Sequence, residues 1–247
     1  MSGLRLAVRY LTILPIPAPA REEAGDLGRS ATWFPVVGLA IGVVVAGVDC
    51  LAGQVLSMPV SAVLTVAAWK LVTGGLHLDG LADCLDGLMG RDREHRLAIM
   101  RDSRIGTFGA VGLVLFLVLE VVAVAELPPA LRWRVLVVAP AVGRAAPPLV
   151  ARLLGAARRE GQGAAFVASV AVSGAIGALG VAIAAAASAL GAVGALGAAL
   201  AVAGAIGVAW LFARPLGGVT GDVLGAGVET AELIVILAAL AWLGARG

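Results

Sequence analysis

Residues 77–109 read HLDGLADCLDGLMGRDREHRLAIMRDSRIGTFG, and this polar block separates two long apolar runs. Asp79, Asp83 and Asp86 fall at i, i+4 and i+7. At about 100° per residue, that spacing gathers three carboxylates into an arc of roughly 60° on a helix. Leu78, Leu81, Leu85 and Leu88 surround them, so the segment reads as a helix at a membrane surface with one acidic face. Like charges so close repel, and water screens them poorly beside a bilayer. A divalent cation relieves the repulsion. Hard carboxylate oxygens without a His or Cys cluster suit Mg²⁺ or Mn²⁺. Asp79, Asp83 and Asp86 are therefore candidate metal ligands and catalytic groups. Arg91, Arg93, Arg96, Arg101 and Arg104 follow. Arg101 and Arg104 flank Asp102–Ser103 at the entry to the next apolar run, a candidate phosphate cradle. Carboxylates for a metal and guanidiniums for phosphate are the components of phosphoryl transfer.

The flanking runs extend over most of the chain. Of its 247 residues, 60% are hydrophobic and only 14% charged, with a mean hydropathy of +1.01. Those values exclude an ordinary soluble domain and predict an all-α, polytopic membrane bundle. Spans are expected at 31–56, 58–76, 107–127 and 132–154, the last interrupted at Pro147–Pro148. Two more divide 166–213 with a break near Gly191, and a final one covers 233–243. These make about seven spanning helices in one catalytic domain, residues 1–247. The opening MSGLRLAVRYLTILPIP lacks a signal-peptide core and reads as an interfacial helix. Cys50 and Cys84 are expected to be free thiols.

With the N-terminus cytoplasmic, the segments 77–106, 155–165 and 213–232 all lie on the cytoplasmic side. They hold most of the arginines, while Arg132, Arg134 and Arg246 fall opposite, as the positive-inside rule prefers. Every polar motif then meets at one face of an inner cell membrane, as a single active site requires. The second motif, GGVTGDVLGAGVETAE, places Asp222 and Glu229 on one helical face, with Glu232 a turn beyond. Acids there are costly unless paired or metal-bound. They complete the metal site or pair with arginines. Arg144 lies inside the fourth span and needs Asp49, Glu120 or a substrate phosphate as partner. Lys70 and Asp49 snorkel or pair with each other. On a continuous helix His77 points away from the aspartates, so a ligand role would need a bend near Gly80.

Together these segments resemble the cobalamin synthase family, the adenosylcobinamide-GDP ribazoletransferases. The resemblance runs nearly end to end: RYLTILPIP, FPVVGLAIG, GGLHLDGLADCLDGLMG, IMRDSRIGTFG, Gly143–Arg144 with REGQGAAF, and GGVTGDVLGAGVETAE. It implies an Mg²⁺-dependent transferase of cobalamin biosynthesis. A hydroxyl of α-ribazole, or of its 5′-phosphate, attacks adenosylcobinamide-GDP, releasing GMP and forming adenosylcobalamin or its 5′-phosphate. It further implies catalytic roles for Asp79, Asp83, Asp86 and Asp222. Substrate-binding roles fall to His77, Arg101, Arg104, Arg144 and Glu229. The lipid bilayer is the expected partner, nucleic acid is not, and homo-oligomerisation stays open. DCLDGLMGR at 83–91 also resembles the first half of the CDP-alcohol phosphotransferase signature. The second half, a glycine and two aspartates four apart, is missing, which leaves a membrane enzyme of lipid synthesis as the alternative. A transporter is disfavoured because the charges cluster at one face.

Overall fold

The computed structural model describes residues 3–17, 23 and 25–244, so Arg246 lies outside the described residues. Every regular element within them is helical. In chain order these are α1 (Gly3–Leu11), α2 (Asp26–Arg29), a single 3₁₀ turn (Ala31–Trp33) and α3 (Phe34–Ala52). Then come α4 (Met58–Val72), α5 (Leu76–Gly87), α6 (Arg93–Ile99) and α7 (Thr107–Glu126). The chain closes with α8 (Pro129–Leu154), α9 (Gln162–Ser169), α10 (Val172–Leu216) and α11 (Gly221–Gly244).

Five of these helices, α3, α7, α8, α10 and α11, are long and apolar enough to cross a membrane. The bent pair α4–α5 makes a sixth candidate if counted as one span. The chain is thus an all-α, multi-pass membrane protein. One of the five is two arms in reality. Gly191 leaves helical geometry with φ +67° and ψ −156°. Beyond it, a methyl on Gly194 would strike the carbonyl of Ala186. In a straight helix those residues would stand about 12 Å apart, so the chain reverses there, at the expected break.

Two expectations need correction. Pro147 and Pro148 do not interrupt the fourth span, because α8 runs unbroken through them and through Pro140. Around Pro140 the helix is closely packed against α3. Gly38 and Gly42 of α3 press against the backbone of Val137, Pro140 and Ala141, leaving no room for a side chain. The last helix also begins at Gly221, twelve residues before 233, so it carries the whole second acidic motif into the bundle. Neutralisation makes that tolerable. Lys70 Nζ lies 2.6 Å from Glu229 and 3.6 Å from Glu232, and Arg144 pairs with Glu232.

The other buried charges differ from expectation in the same way. Lys70 also sits 2.9 Å from Glu120 and does not pair with Asp49. Asp49 instead binds Arg132 at 2.5 Å and accepts from Thr65 at 2.9 Å, at the far end of the bundle. Sequence alone could not assign these partners, since they come from segments up to 159 residues apart.

The working end is held by short backbone links. Ala157 N–H donates to Val219 C=O, and Val219 N–H to Gly155 C=O, both at 2.9 Å. Arg93 donates to the carbonyls of Leu216 and Ala157 at 2.8 and 2.6 Å. Ile13 N–H reaches Val72 C=O at 3.0 Å, tying the segment after α1 to the end of α4. The three polar segments expected on one face therefore do meet at one end of the bundle.

Candidate active site

The site forms where α5 crosses α11. The bend between α4 and α5 is 91°, so α5 turns out of line with α4 and packs against α11. Glycine permits the crossing. A Cβ on Gly80 would lie 2.8 Å from both Cα and the carbonyl oxygen of Asp222. One on Gly225 would lie 3.1 Å from Cα of His77. Residues with side chains at Gly80 and Gly225 would push these helices apart.

The contact brings Asp79, Asp83 and Asp222 together. Asp79 is exposed, while Asp83 and Asp222 are half-buried. Neither Asp79 nor Asp83 has a salt-bridge partner among the described residues. Burial, then the charges of Asp222, Asp79 and Asp86, push the Asp83 carboxyl up to about 7. A carboxyl so disfavoured as an anion marks a place short of positive charge. Thr220 Oγ1 contacts Asp222 Oδ2 at 3.1 Å.

Asp86 serves a purpose that its helical spacing did not reveal. Its two carboxylate oxygens accept from Gly106 N–H at 2.7 Å and Gly109 N–H at 2.8 Å. It therefore caps the start of α7 from a neighbouring helix, satisfying two donors that a helix leaves open. A Cβ at either glycine would collide with that carboxylate, so a larger residue would displace Asp86 from these amides.

Beside the aspartates is a cavity of about 210 Å³. Asp79, Asp222, His77 and Gln162 line it, with Tyr10, Phe34 and Phe166 among its apolar walls. It adjoins a groove of about 1010 Å³ between α1 and α9 that includes Arg9, Arg159 and Gln162. Tyr10 and Gln162 border both spaces. α5 has no break at Gly80. His77 accordingly turns inward from the acidic face and is buried, yet it borders the same cavity as Asp79.

The predicted phosphate binders occupy different settings. Arg104 is exposed and pairs with Asp102 at 2.6 Å. Arg101 is exposed as well and lies close enough to Arg158 for their charges to interact. Arg158 loses basicity through burial and the Arg101 charge, and regains part of it from Asp222. Its Nε is buried without a partner among the described residues. Arg158 thus stands near both Arg101 and Asp222, and of the two arginines only Arg101 was singled out from sequence as a phosphate binder. The clue to Arg158 was its position in the basic loop AARREGQGAA.

Arg144 and Glu229 belong to a buried network and not to the cavity lining. It comprises Lys70, Arg144, Glu120, Glu229 and Glu232. Seven residues separate Asp222 from Glu229, so the network lies about 10 Å further along α11. Glu120, Glu229 and Glu232 bring carboxylate oxygens within 4.8 Å of one another, the only such trio among the described residues. The Lys70 ammonium already supplies the cation there. Asp79, Asp83 and Asp86, expected to share a metal, form no comparable three-ligand cluster among the described residues.

Comparison with known proteins agrees with the motifs. A family model described as cobalamin-5-phosphate synthase matches residues 3–240. A Geotalea daltonii protein named adenosylcobinamide-GDP ribazoletransferase is 39% identical over 96% of both chains. A Roseiflexus protein of the same name is 41% identical over 93% of this chain and 86% of its own. A third from Klebsiella pneumoniae is 38% identical over 95% and 97%. No solved structure gives a significant match. The chain belongs to the cobalamin-5-phosphate synthase family.

Proposed function

We propose that this protein is an adenosylcobinamide-GDP ribazoletransferase whose chemistry occurs at the α5–α11 crossing. The observation that carries the proposal is the convergence of Asp79, Asp83 and Asp222 beside a cavity, with no basic partner for Asp79 or Asp83 among the described residues. Relatives matching the chain nearly end to end carry the name of this activity.

The substrates are adenosylcobinamide-GDP and α-ribazole or its 5′-phosphate. A hydroxyl oxygen of the ribazole attacks the cobinamide-linked phosphorus. A P–O bond forms there as the pyrophosphate P–O bond to GMP breaks. The hydroxyl proton passes to a carboxylate, for which Asp79 and Asp222 are the candidates because both border the cavity. Arg101 and Arg158 hold the pyrophosphate, with Arg104 nearby in sequence and free to exchange Asp102 for phosphate.

The acidic cluster fits a divalent cation through its oxygen donors and unbalanced charge. Asp83 and Asp79 are the ligands best placed to hold Mg²⁺, whereas Asp86 already uses both oxygens on α7. Held there, Mg²⁺ would supply the positive charge that offsets the pyrophosphate and the departing GMP. The site faces the cytoplasm of the inner cell membrane, where the basic loops are retained.

Purified protein incubated with adenosylcobinamide-GDP and α-ribazole should release GMP. Incubation with CDP-diacylglycerol and an alcohol should release no CMP. The opposite pattern would assign the chain to lipid synthesis.

A further inference from the structure

The cavity beside Asp79 and Asp222 has a wall that phosphoryl transfer does not require. Tyr10, Phe34 and Phe166 come from α1, α3 and α9, far apart in sequence, yet form one stack. Tyr10 and Phe34 have centroids 6.3 Å apart and planes 20° apart. Phe34 and Phe166 have centroids 5.6 Å apart and planes 14° apart. All three rings border the cavity. His77 borders it too, and its Nδ1 is buried with no hydrogen-bond partner among the described residues. A buried ring nitrogen left unpaired is costly, and a ligand atom can supply the missing bond.

We infer that this cavity is a slot for the flat aromatic base of the acceptor nucleoside, seated against the Tyr10–Phe34–Phe166 stack with a ring nitrogen toward His77. Aromatic walls bind bases through their π-faces. Guanine of the donor has similar chemistry, but its position in the reaction differs. In adenosylcobinamide-GDP, a ribose and a phosphate separate guanine from the attacked phosphorus. The acceptor base is one ribose from its attacking hydroxyl. The slot and the carboxylates Asp79 and Asp222 line the same small cavity, so the base it holds must lie within a sugar of the reacting atoms. The acceptor meets that condition. The donor then occupies the larger adjoining groove, past Tyr10 and Gln162.

The inference rests on the ribazoletransferase reaction, and the test separates the two. Wild-type protein that forms no GMP from both substrates refutes the reaction itself. Given wild-type turnover, steady-state kinetics of Tyr10→Leu decide the slot. The KM for α-ribazole should rise at least about tenfold, while that for adenosylcobinamide-GDP stays within about twofold. Tyr10→Phe keeps the ring and should retain the wild-type KM for ribazole. A rise confined to adenosylcobinamide-GDP would place guanine in the slot and overturn the assignment. Unchanged KM for both would overturn it as well. If Tyr10→Leu fails to insert, calorimetric titration of α-ribazole into wild-type protein decides. Binding that excess GMP leaves unaltered supports the slot; no binding, or competition by GMP, overturns it.

Discussion

Replacing Gly80 with alanine tests whether the close approach of α5 and α11 sets the active site. The added methyl would begin 2.8 Å from the Asp222 backbone. Carbon atoms prefer separations of about 3.5 Å or more, so the helices must part by roughly 0.7 Å. Overpacking of this kind costs about 1–3 kcal/mol, against about 1 kcal/mol gained in helix propensity. The protein should therefore still fold. Asp79 and Asp83 stand on one helix and Asp222 on the other, so the same shift misplaces the carboxylates. Misplacements near 1 Å cost on the order of a hundredfold in rate. Gly80→Ala should lower kcat by roughly 10- to 100-fold in a GMP-release assay, with monodisperse protein recovered in normal yield. Gly207→Ala is the control, since nothing lies within 4 Å of the added methyl. It should retain the wild-type rate. Normal turnover by Gly80→Ala would refute the claim that this crossing sets the catalytic geometry.

Further outcomes follow from the charges. Lys70→Met leaves Glu120, Glu229 and Glu232 without their shared ammonium and should cost about 3–5 kcal/mol of stability. Thermal melting in detergent would show a large drop, partly restored by adding Glu120→Gln; an unchanged melting temperature would remove the network from the account. Asp83→Asn should lose at least about a hundredfold in kcat and recover partly in raised Mg²⁺. Asp86→Ala should destabilise the start of α7 by about 0.5–2 kcal/mol, with no recovery in Mg²⁺. Metal rescue of Asp86→Ala would make Asp86 a ligand after all. The Asp83 carboxyl titrates near 7 in the fold, against about 3.9 unfolded. Between those values the folded state keeps a proton that the unfolded chain has lost. In EDTA, stability should fall as pH rises from about 4 to about 7 and then level off. Mg²⁺ should flatten that slope; a slope unchanged by Mg²⁺ would argue against a cation at Asp83.

Much of this architecture was readable from local pattern. The apolar runs marked the crossing helices, and Gly191 marked the reversal within α10. Spacing along one helix placed Asp79 and Asp83 on a common face. Membrane burial made Glu229, Glu232 and Arg144 conspicuous. What local pattern cannot supply is the partner. Asp86 had the spacing of a ligand, but its partners are amides 20 and 23 residues away on another helix. Glu229 and Arg144 looked suited to substrate and instead belong to the Lys70 network. The last helix looked shorter than it is because its acids seemed unfit for a span, until Lys70 and Arg144 are brought beside them by folding. Tyr10 carried no signal of its own, since only the packing of α1 against α3 brings it to the cavity.

The most direct test of the central claim compares wild-type protein and Asp83→Asn for GMP release from adenosylcobinamide-GDP and α-ribazole, each with Mg²⁺ and with EDTA. The account predicts GMP and the cobalamin product in equal amounts from the wild type with Mg²⁺. It predicts almost none in EDTA, and at least about a hundredfold less from correctly inserted Asp83→Asn. Equal rates for the two proteins, or full wild-type activity in EDTA, would contradict it.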